Sequence, residues 1–288
     1  MKGMEKQRQE NAPPHPALSR GERVQTQATY TGERTDVTTY FSGKTDTYQR
    51  YRPGYPRAAM EAVLAGLGSA PLVADVGCGT GISSRCLAAA GARVIGIEPN
   101  DDMRAAATAL GQGKGEPPID YRAGTGEATG LPDHSLDCVV CAQAFHWFDG
   151  PRALREFHCI LREGGRLALL WNKRDESDPA SAEYERIISL AMDLAEETGR
   201  GVARYRSAPD LRPLFAQQSV DRYDNPVQYS MEDLLGRARS SSYWPESGEP
   251  RDRLEALLGA LFNKHQEQGV LRIRQYTEVT LASRVRGS

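Results

Sequence analysis

Short apolar runs rich in β-branched residues alternate with stretches of helical spacing through the middle of the chain. The run starting at Leu72 and those at 92–98, 119–123, 135–141 and 166–171 read as strands. Near-continuous apolar runs of this length suit strands buried on both faces. Residues 57–67, 83–90, 99–110 and 151–161 carry apolar positions at helical intervals. Asn100 offers a cap at one start, and Gly91 and Gly164-Gly165 act as stops. This alternation predicts an α/β fold: a doubly wound, Rossmann-like, mostly parallel sheet covered on both faces.

Beyond the fifth run the pattern becomes mainly helical. Residues 180–198, 208–215, 231–239 and 251–266 read as helices, with a strand at 220–229 and a last edge strand at 270–279. A helical cap insertion over 175–217 and 231–267 follows, placed to cover the active edge of the sheet. Residues 1–38 are polar, rich in Gln, Arg, Thr and Pro, and lack any period, so they are expected to form a disordered leader. The expected domain spans 39–283, with a tail at 284–288.

Charge adds an exclusion. Lys plus Arg is 36 and Asp plus Glu is 38, a net charge of -2. That balance gives no support for a nucleic-acid or anionic-membrane partner and leaves a small molecule as the expected one. No apolar run approaches the roughly 18 residues of a membrane span. With no secretory signal and an odd set of five cysteines, reduced thiols and a cytoplasmic location are expected. Cys138 and Cys141 have CxxC spacing, but residues three apart on a strand face opposite ways, which argues against a shared metal. No other cluster has ligand spacing, so no metal is expected.

The chemistry concentrates where the first strand ends, at Asp75-Val76-Gly77-Cys78-Gly79-Thr80-Gly81. Glycines there let a ligand approach the backbone and permit positive φ, and the following helix start offers free N–H groups. Glu98 closes the second strand, where an acid can accept from two ribose hydroxyls. Met103 either rests on a base or belongs to the core. In the dinucleotide fingerprint a third glycine would stand at Ile82. Asp75, just before the turn, would repel a pyrophosphate but could accept from a cationic amino group or a bound water. Both features favour S-adenosylmethionine over NAD. A nicotinamide-dependent oxidoreductase and a non-catalytic S-adenosylmethionine-binding protein are the alternatives.

Residues 75–81 resemble the first motif of class I S-adenosylmethionine-dependent methyltransferases, and Ile97-Glu98-Pro99-Asn100 with Met103 resembles the second. Gly124 to Glu127, Leu131-Pro132-Asp133 and Ser135-Leu136-Asp137 are similar to signatures of the methyltransferase type 11 group. Tyr48 with Tyr51-Arg52-Pro53-Gly54-Tyr55-Pro56, the stretch 142–147, and Trp171-Asn172-Lys173-Arg174-Asp175 resemble the trans-aconitate methyltransferase-like subgroup. The resemblance implies S-adenosyl-L-methionine as cofactor. It implies that Asp75, Gly77 and Gly79, with Cys78, Thr80 and Gly81 of the same turn, line the methionine part. Glu98 and Pro99 would hold the ribose. Thr125, Gly126 and Glu127 would edge the adenine, and Gln143 would lie near the sulfonium.

Methyl transfer from a sulfonium needs alignment and exclusion of water more than acid–base chemistry. A hydroxyl acceptor would benefit from a base, for which His146 at the end of the fourth strand is the candidate; otherwise it is a structural residue beside Trp147. A carboxylate acceptor needs none, and Arg52 and Arg174 could orient it. O-methylation of a carboxylate or hydroxyl is the expected reaction. Tyr48, Tyr51, Arg52, Trp147, Trp171 and Arg174 are the candidates for substrate contact. The segment around 40–56 either packs over a domain edge or forms a lid.

Overall fold

A computed structural model of the chain describes residues 51–111, 116–199, 209–212 and 214–285, the side chains of Gln217 and Gln218 excepted. The expected leader and Tyr48 lie outside the described residues.

The strands are β1 (Leu72–Val76), β2 (Arg93–Ile97), β3 (Asp120–Arg122), β4 (Leu136–Ala142), β5 (Leu161–Arg174), β6 (Phe215–Asp224), β7 (Val227–Tyr229), β8 (Leu271–Ile273) and β9 (Gln275–Arg284). The described helices are α1 (Arg57–Leu64), α2 (Ile82–Ala89), α3 (Asp101–Leu110), α4 (Gly150–Ile160), α5 (Pro179–Glu197), α6 (Met231–Arg239) and α7 (Glu249–His265). One sheet has the order β3-β2-β1-β4-β5-β9-β6, and β7 pairs with β8 apart from it. The first five strands are parallel, and β9 runs antiparallel to β5 and β6. The expected α/β doubly wound sheet is therefore present. Its strand order reverses between β1 and β4, which opens a crevice at their C-terminal ends.

Alternation along the strands explains why they read as unbroken apolar runs. Val73, Val94, Cys138, Val140 and Leu170 face one way and pack against Met60 and Val63 of α1 and Leu87 of α2. Val76, Ile97, Val139, Cys141 and Leu169 face the other way, against Leu154, Phe157 and Ile160 of α4. Cys138 and Cys141 thus belong to opposite faces, both buried and unpaired as thiols. A further core joins α5, α6, α7 and the β7–β8 pair around Tyr184, Trp244, Leu258 and Ile273. No described helix is long and apolar enough to cross a membrane.

Three readings of the C-terminal part are corrected. The expected edge strand at 270–279 is split into β8 and β9, and β9 lies inside the sheet, leaving β6 at the edge. Its pattern misled because polar residues occupy buried positions and are satisfied there: Thr277 is fully buried and donates to Asn172 Oδ1 at 2.6 Å. The strand expected at 220–229 breaks between Asp224 and Val227, at Asn225 and Pro226. Proline has no N–H to continue a ladder. The short helix expected at 208–215 is absent from the described residues 209–212, and Phe215 opens β6. Pro209 and Pro213 oppose helix propagation. β9 also runs to Arg284, into the expected tail.

Glu156 of α4 fixes the turn after β3. It is 6% exposed, and one carboxylate oxygen accepts from both the N–H (3.0 Å) and the hydroxyl (2.6 Å) of Thr129. Glu156→Ala strands both donors and is expected to cost about 2 kcal/mol of stability. Glu156→Gln, which keeps an acceptor, should cost less. Urea unfolding of the three proteins checks the order.

Candidate active site

The turn between β1 and α2 takes left-handed steps at Gly77, Gly79 and Gly81, with φ of 73°, 56° and 77°. Two of these glycines are also required by space. A Cβ on Gly77 would stand 2.6 Å from that of Ala144, and one on Gly81 would stand 2.2 Å from the Tyr121 hydroxyl. At Gly79 nothing lies within 4 Å of that position. The turn is therefore packed on both flanks and open in the middle. The Gly77 and Cys78 N–H groups donate to Ile97 O at 2.8 and 3.1 Å, joining the turn to the end of β2. Thr80 is buried, and its carbonyl accepts from Arg85 Nη1 at 2.9 Å.

Two carboxylates brace this turn. Asp75 is fully buried, and its Oδ2 accepts from Ser83 Oγ at 2.7 Å and Ser84 Oγ at 2.6 Å, at the first turn of α2. Its Oδ1 has no hydrogen-bond partner. Burial pushes the Asp75 pKa up to about 6, against the lowering effect of the serines. Glu98 is 9% exposed; Oε2 accepts from Gly79 N at 2.9 Å and Oε1 from Asn100 N at 3.0 Å. Burial raises its pKa too, and the nearby Asp75 adds to this. Each carboxylate oxygen of Glu98 keeps a lone pair beyond its backbone bond.

The remaining expected contacts divide. Pro99 follows Glu98, and its carbonyl accepts from Arg104 Nη1 at 3.2 Å. Met103 is 2% exposed and sits in α3 with its N–H on Asn100 Oδ1 at 2.8 Å, a core position. Thr125 is exposed, whereas Gly126 is buried with the Phe148 ring 2.7 Å from where a Cβ would stand. Glu127 accepts from Asp149 N at 2.6 Å, so its carboxylate holds the entrance to α4. Gln143, at the end of β4, has φ of 56°, a costly conformation for a side chain with a Cβ. Its N–H donates to Leu170 O at 2.9 Å, and its Nε2 to Asn172 O at 3.3 Å.

Beside Gln143, a 3-10 turn over Phe145–Trp147 carries His146. The imidazole centroid lies 5.1 Å from that of Trp147 and 5.3 Å from that of Trp171. Its Nδ1 is buried without a hydrogen-bond partner. Burial, reinforced by the Arg52 charge, lowers its pKa to about 4. His146 is therefore neutral near pH 7 and a weak proton acceptor. Arg174, at the end of β5, pairs with Glu185 and lies 4.7 Å over the Tyr184 ring. Burial alone would lower its pKa, and Glu185 more than offsets this, leaving it raised.

The structure thus gathers the glycine turn, Asp75 and Glu98 at one end of the crevice. Gln143, His146, Trp147, Trp171 and Arg52 lie at the ends of β4 and β5. Sequence reasoning missed Ser83 and Ser84, which share the Asp75 carboxylate, and Tyr121 and Phe148, which wall the glycines. Adjacent serines at a helix start, after a turn preceded by an acid, were the available signal. Among the described residues no group of three His, Cys, Asp or Glu side chains could hold a metal.

Residues 74–169 match the profile of the family described as a methyltransferase domain. An uncharacterized methyltransferase of Mycobacterium tuberculosis is 38% identical over 146 residues, 51% of this chain and 57% of the relative. The chain thus spans little more than half the length of these curated mycobacterial relatives. A solved structure described as a type II methyltransferase from Anaeromyxobacter dehalogenans shares the fold. Its TM-score is 0.58 at 23% identity, covering 81% of this chain and 97% of that one. YcgJ of Bacillus subtilis gives a TM-score of 0.51 at 19% identity, covering 81% of this chain and 100% of its own. Residues 74–169 are thus similar to a methyltransferase domain, and the two solved structures share the fold.

Proposed function

We propose that the chain binds S-adenosylmethionine at the C-terminal ends of β1 and β2 and methylates an oxygen, carboxylate or hydroxyl, of a small-molecule acceptor. The observation that carries this reading is the pair of buried carboxylates, Asp75 and Glu98, around the open position at Gly79. A pyrophosphate brought there would meet two like charges in a region of low dielectric. A ligand with an ammonium group and ribose hydroxyls would instead supply donors. Asp75 Oδ1 is met by the amino group or by a water that it holds, and the outer lone pairs of Glu98 by the hydroxyls.

Bound there, S-adenosylmethionine supplies an activated methyl group with a neutral thioether as leaving group. The protein contributes alignment and exclusion of water. Trp147, His146 and Trp171 present an apolar wall at the ends of β4 and β5. A His146 that stays neutral and weakly basic suits an acceptor that arrives already ionised better than one that must be deprotonated. Titration calorimetry with S-adenosylmethionine and NAD tests the reading directly; binding of NAD without S-adenosylmethionine would overturn it.

Two outcomes are expected for the donor site. Asp75 has a folded pKa of about 6 against 3.8 for an ordinary aspartate, so the free protein loses stability as pH rises through that window. An ammonium ligand favours the ionised carboxylate. Affinity for S-adenosylhomocysteine should therefore rise from about pH 5 to 7.5 and flatten in Asp75→Asn, measured by calorimetry at each pH. Glu98→Ala removes the ribose acceptor and the brace on Gly79, and should weaken S-adenosylhomocysteine binding by about 2 kcal/mol. Unchanged affinity in that variant would remove Glu98 from the ribose site.

A further inference from the structure

The helical part of the chain buries positive charge without matching acid. Arg237 of α6 is 8% exposed, and its Nη1 donates to Ser241 Oγ at 3.0 Å. The groups that bear most on its charge are Tyr184, Tyr243, Tyr229 and the like-charged Arg174. No carboxylate is among them. Arg174 has Glu185; Arg237 has no counterpart among the described residues. Close by, Tyr184 is 1% exposed and its hydroxyl has no hydrogen-bond partner. A buried guanidinium that lacks an acid, beside a buried hydroxyl that lacks a partner, is costly unless something supplies the missing acceptors.

The surroundings connect this spot to the candidate active site. Tyr51 packs on Gly236, the neighbour of Arg237; a Cβ there would stand 2.4 Å from the Tyr51 ring. The same segment is held to the sheet by Gly54 O, which accepts from Asn225 Nδ2 at 2.9 Å and Asn172 Nδ2 at 3.3 Å. Arg52, between these two anchors, acts on His146 on one side and on Tyr243 on the other. Burial would raise the Tyr243 pKa, yet Arg237, Arg174 and Arg52 together hold it below the ordinary phenol value. Arg52 thus lies between His146 and Tyr243 and links the surroundings of α6 to the end of β4.

We propose that Arg237 and Arg174, with the Tyr184 hydroxyl, form an anion subsite that holds a carboxylate of the methyl acceptor. This rests on the methyltransferase reading and deepens it. A carboxylate offers several acceptor positions in one plane, which match the fork of a guanidinium and leave one for the phenol. It also supplies the charge that Arg237 lacks. Such an acceptor enters ionised at neutral pH, consistent with a His146 that is a poor base.

The test is binding of a panel of small mono- and dicarboxylates, their primary amides and inorganic phosphate to the full chain saturated with S-adenosylhomocysteine, by calorimetry. At least one carboxylate should bind, at least about tenfold more tightly than its amide. Arg237→Gln should weaken that carboxylate by about tenfold or more, and Tyr184→Phe severalfold, with S-adenosylhomocysteine affinity unchanged. The phenylalanine variant, nearly isosteric, keeps the test valid if the arginine variant fails to fold. No binding across the panel, amides equal to carboxylates, phosphate equal to the best carboxylate, or full binding in Tyr184→Phe would each overturn the subsite. Loss of S-adenosylhomocysteine binding by the native chain would instead overturn the methyltransferase reading itself.

Discussion

Asp75 places a carboxylate where no water reaches it and spends one oxygen on two serine hydroxyls of the next helix. Much of the crevice geometry depends on that tie. It fixes the start of α2 against the end of β1, and the chain between them must then close through left-handed glycines. The Tyr121 hydroxyl and the Ala144 side chain fill the space beside two of those glycines, so the turn cannot relax sideways. Glu98 grips the middle glycine by its N–H. The result is a backbone loop held open by its neighbours rather than by its own side chains, as close ligand approach requires.

A sheet buried on both faces makes this arrangement possible. The two apolar layers leave only the strand ends for polar work, and the reversal of strand order at β1 and β4 separates those ends into a crevice. Gln143 pays for its position there with a left-handed backbone, held by Leu170 O from the adjacent strand. Strain at that point is tolerated because β4 and β5 are locked in register on either side of it.

How much of this the sequence disclosed follows from burial. β1, β2 and β4 are apolar on both faces, so their runs were unmistakable, and the glycine turn was located because glycines have few other uses at a strand end. β9 was misread because Thr277 and Glu278 are polar yet buried, satisfied by partners on other strands that no local pattern reveals. The brace on Asp75 was invisible for a similar reason: a serine says nothing of which acid it serves. Arg237 was hidden more deeply. On a helix with charged residues on its exposed positions, one more arginine reads as surface, and only the packing of Tyr184, Ser241 and Tyr51 around α6 shows it to be interior.

Charge then separates the two halves of the crevice. Asp75 and Glu98 place two carboxylates at β1 and β2, while Arg52, Arg237 and Arg174, the last paired with Glu185, lie on the side of β4 and β5. Between them stands His146, uncharged and flanked by Trp147 and Trp171. On the proposed reading, a cationic donor and an anionic acceptor each find one favourable side, and exchanging them would set like charges together in low dielectric. Orientation is thus decided by long-range fields before any close contact forms. If the proposed acceptor is methylated on a carboxylate, it loses a charge and its hold on the arginines weakens, so on that reading one field would both favour the anionic acceptor and ease departure of its ester.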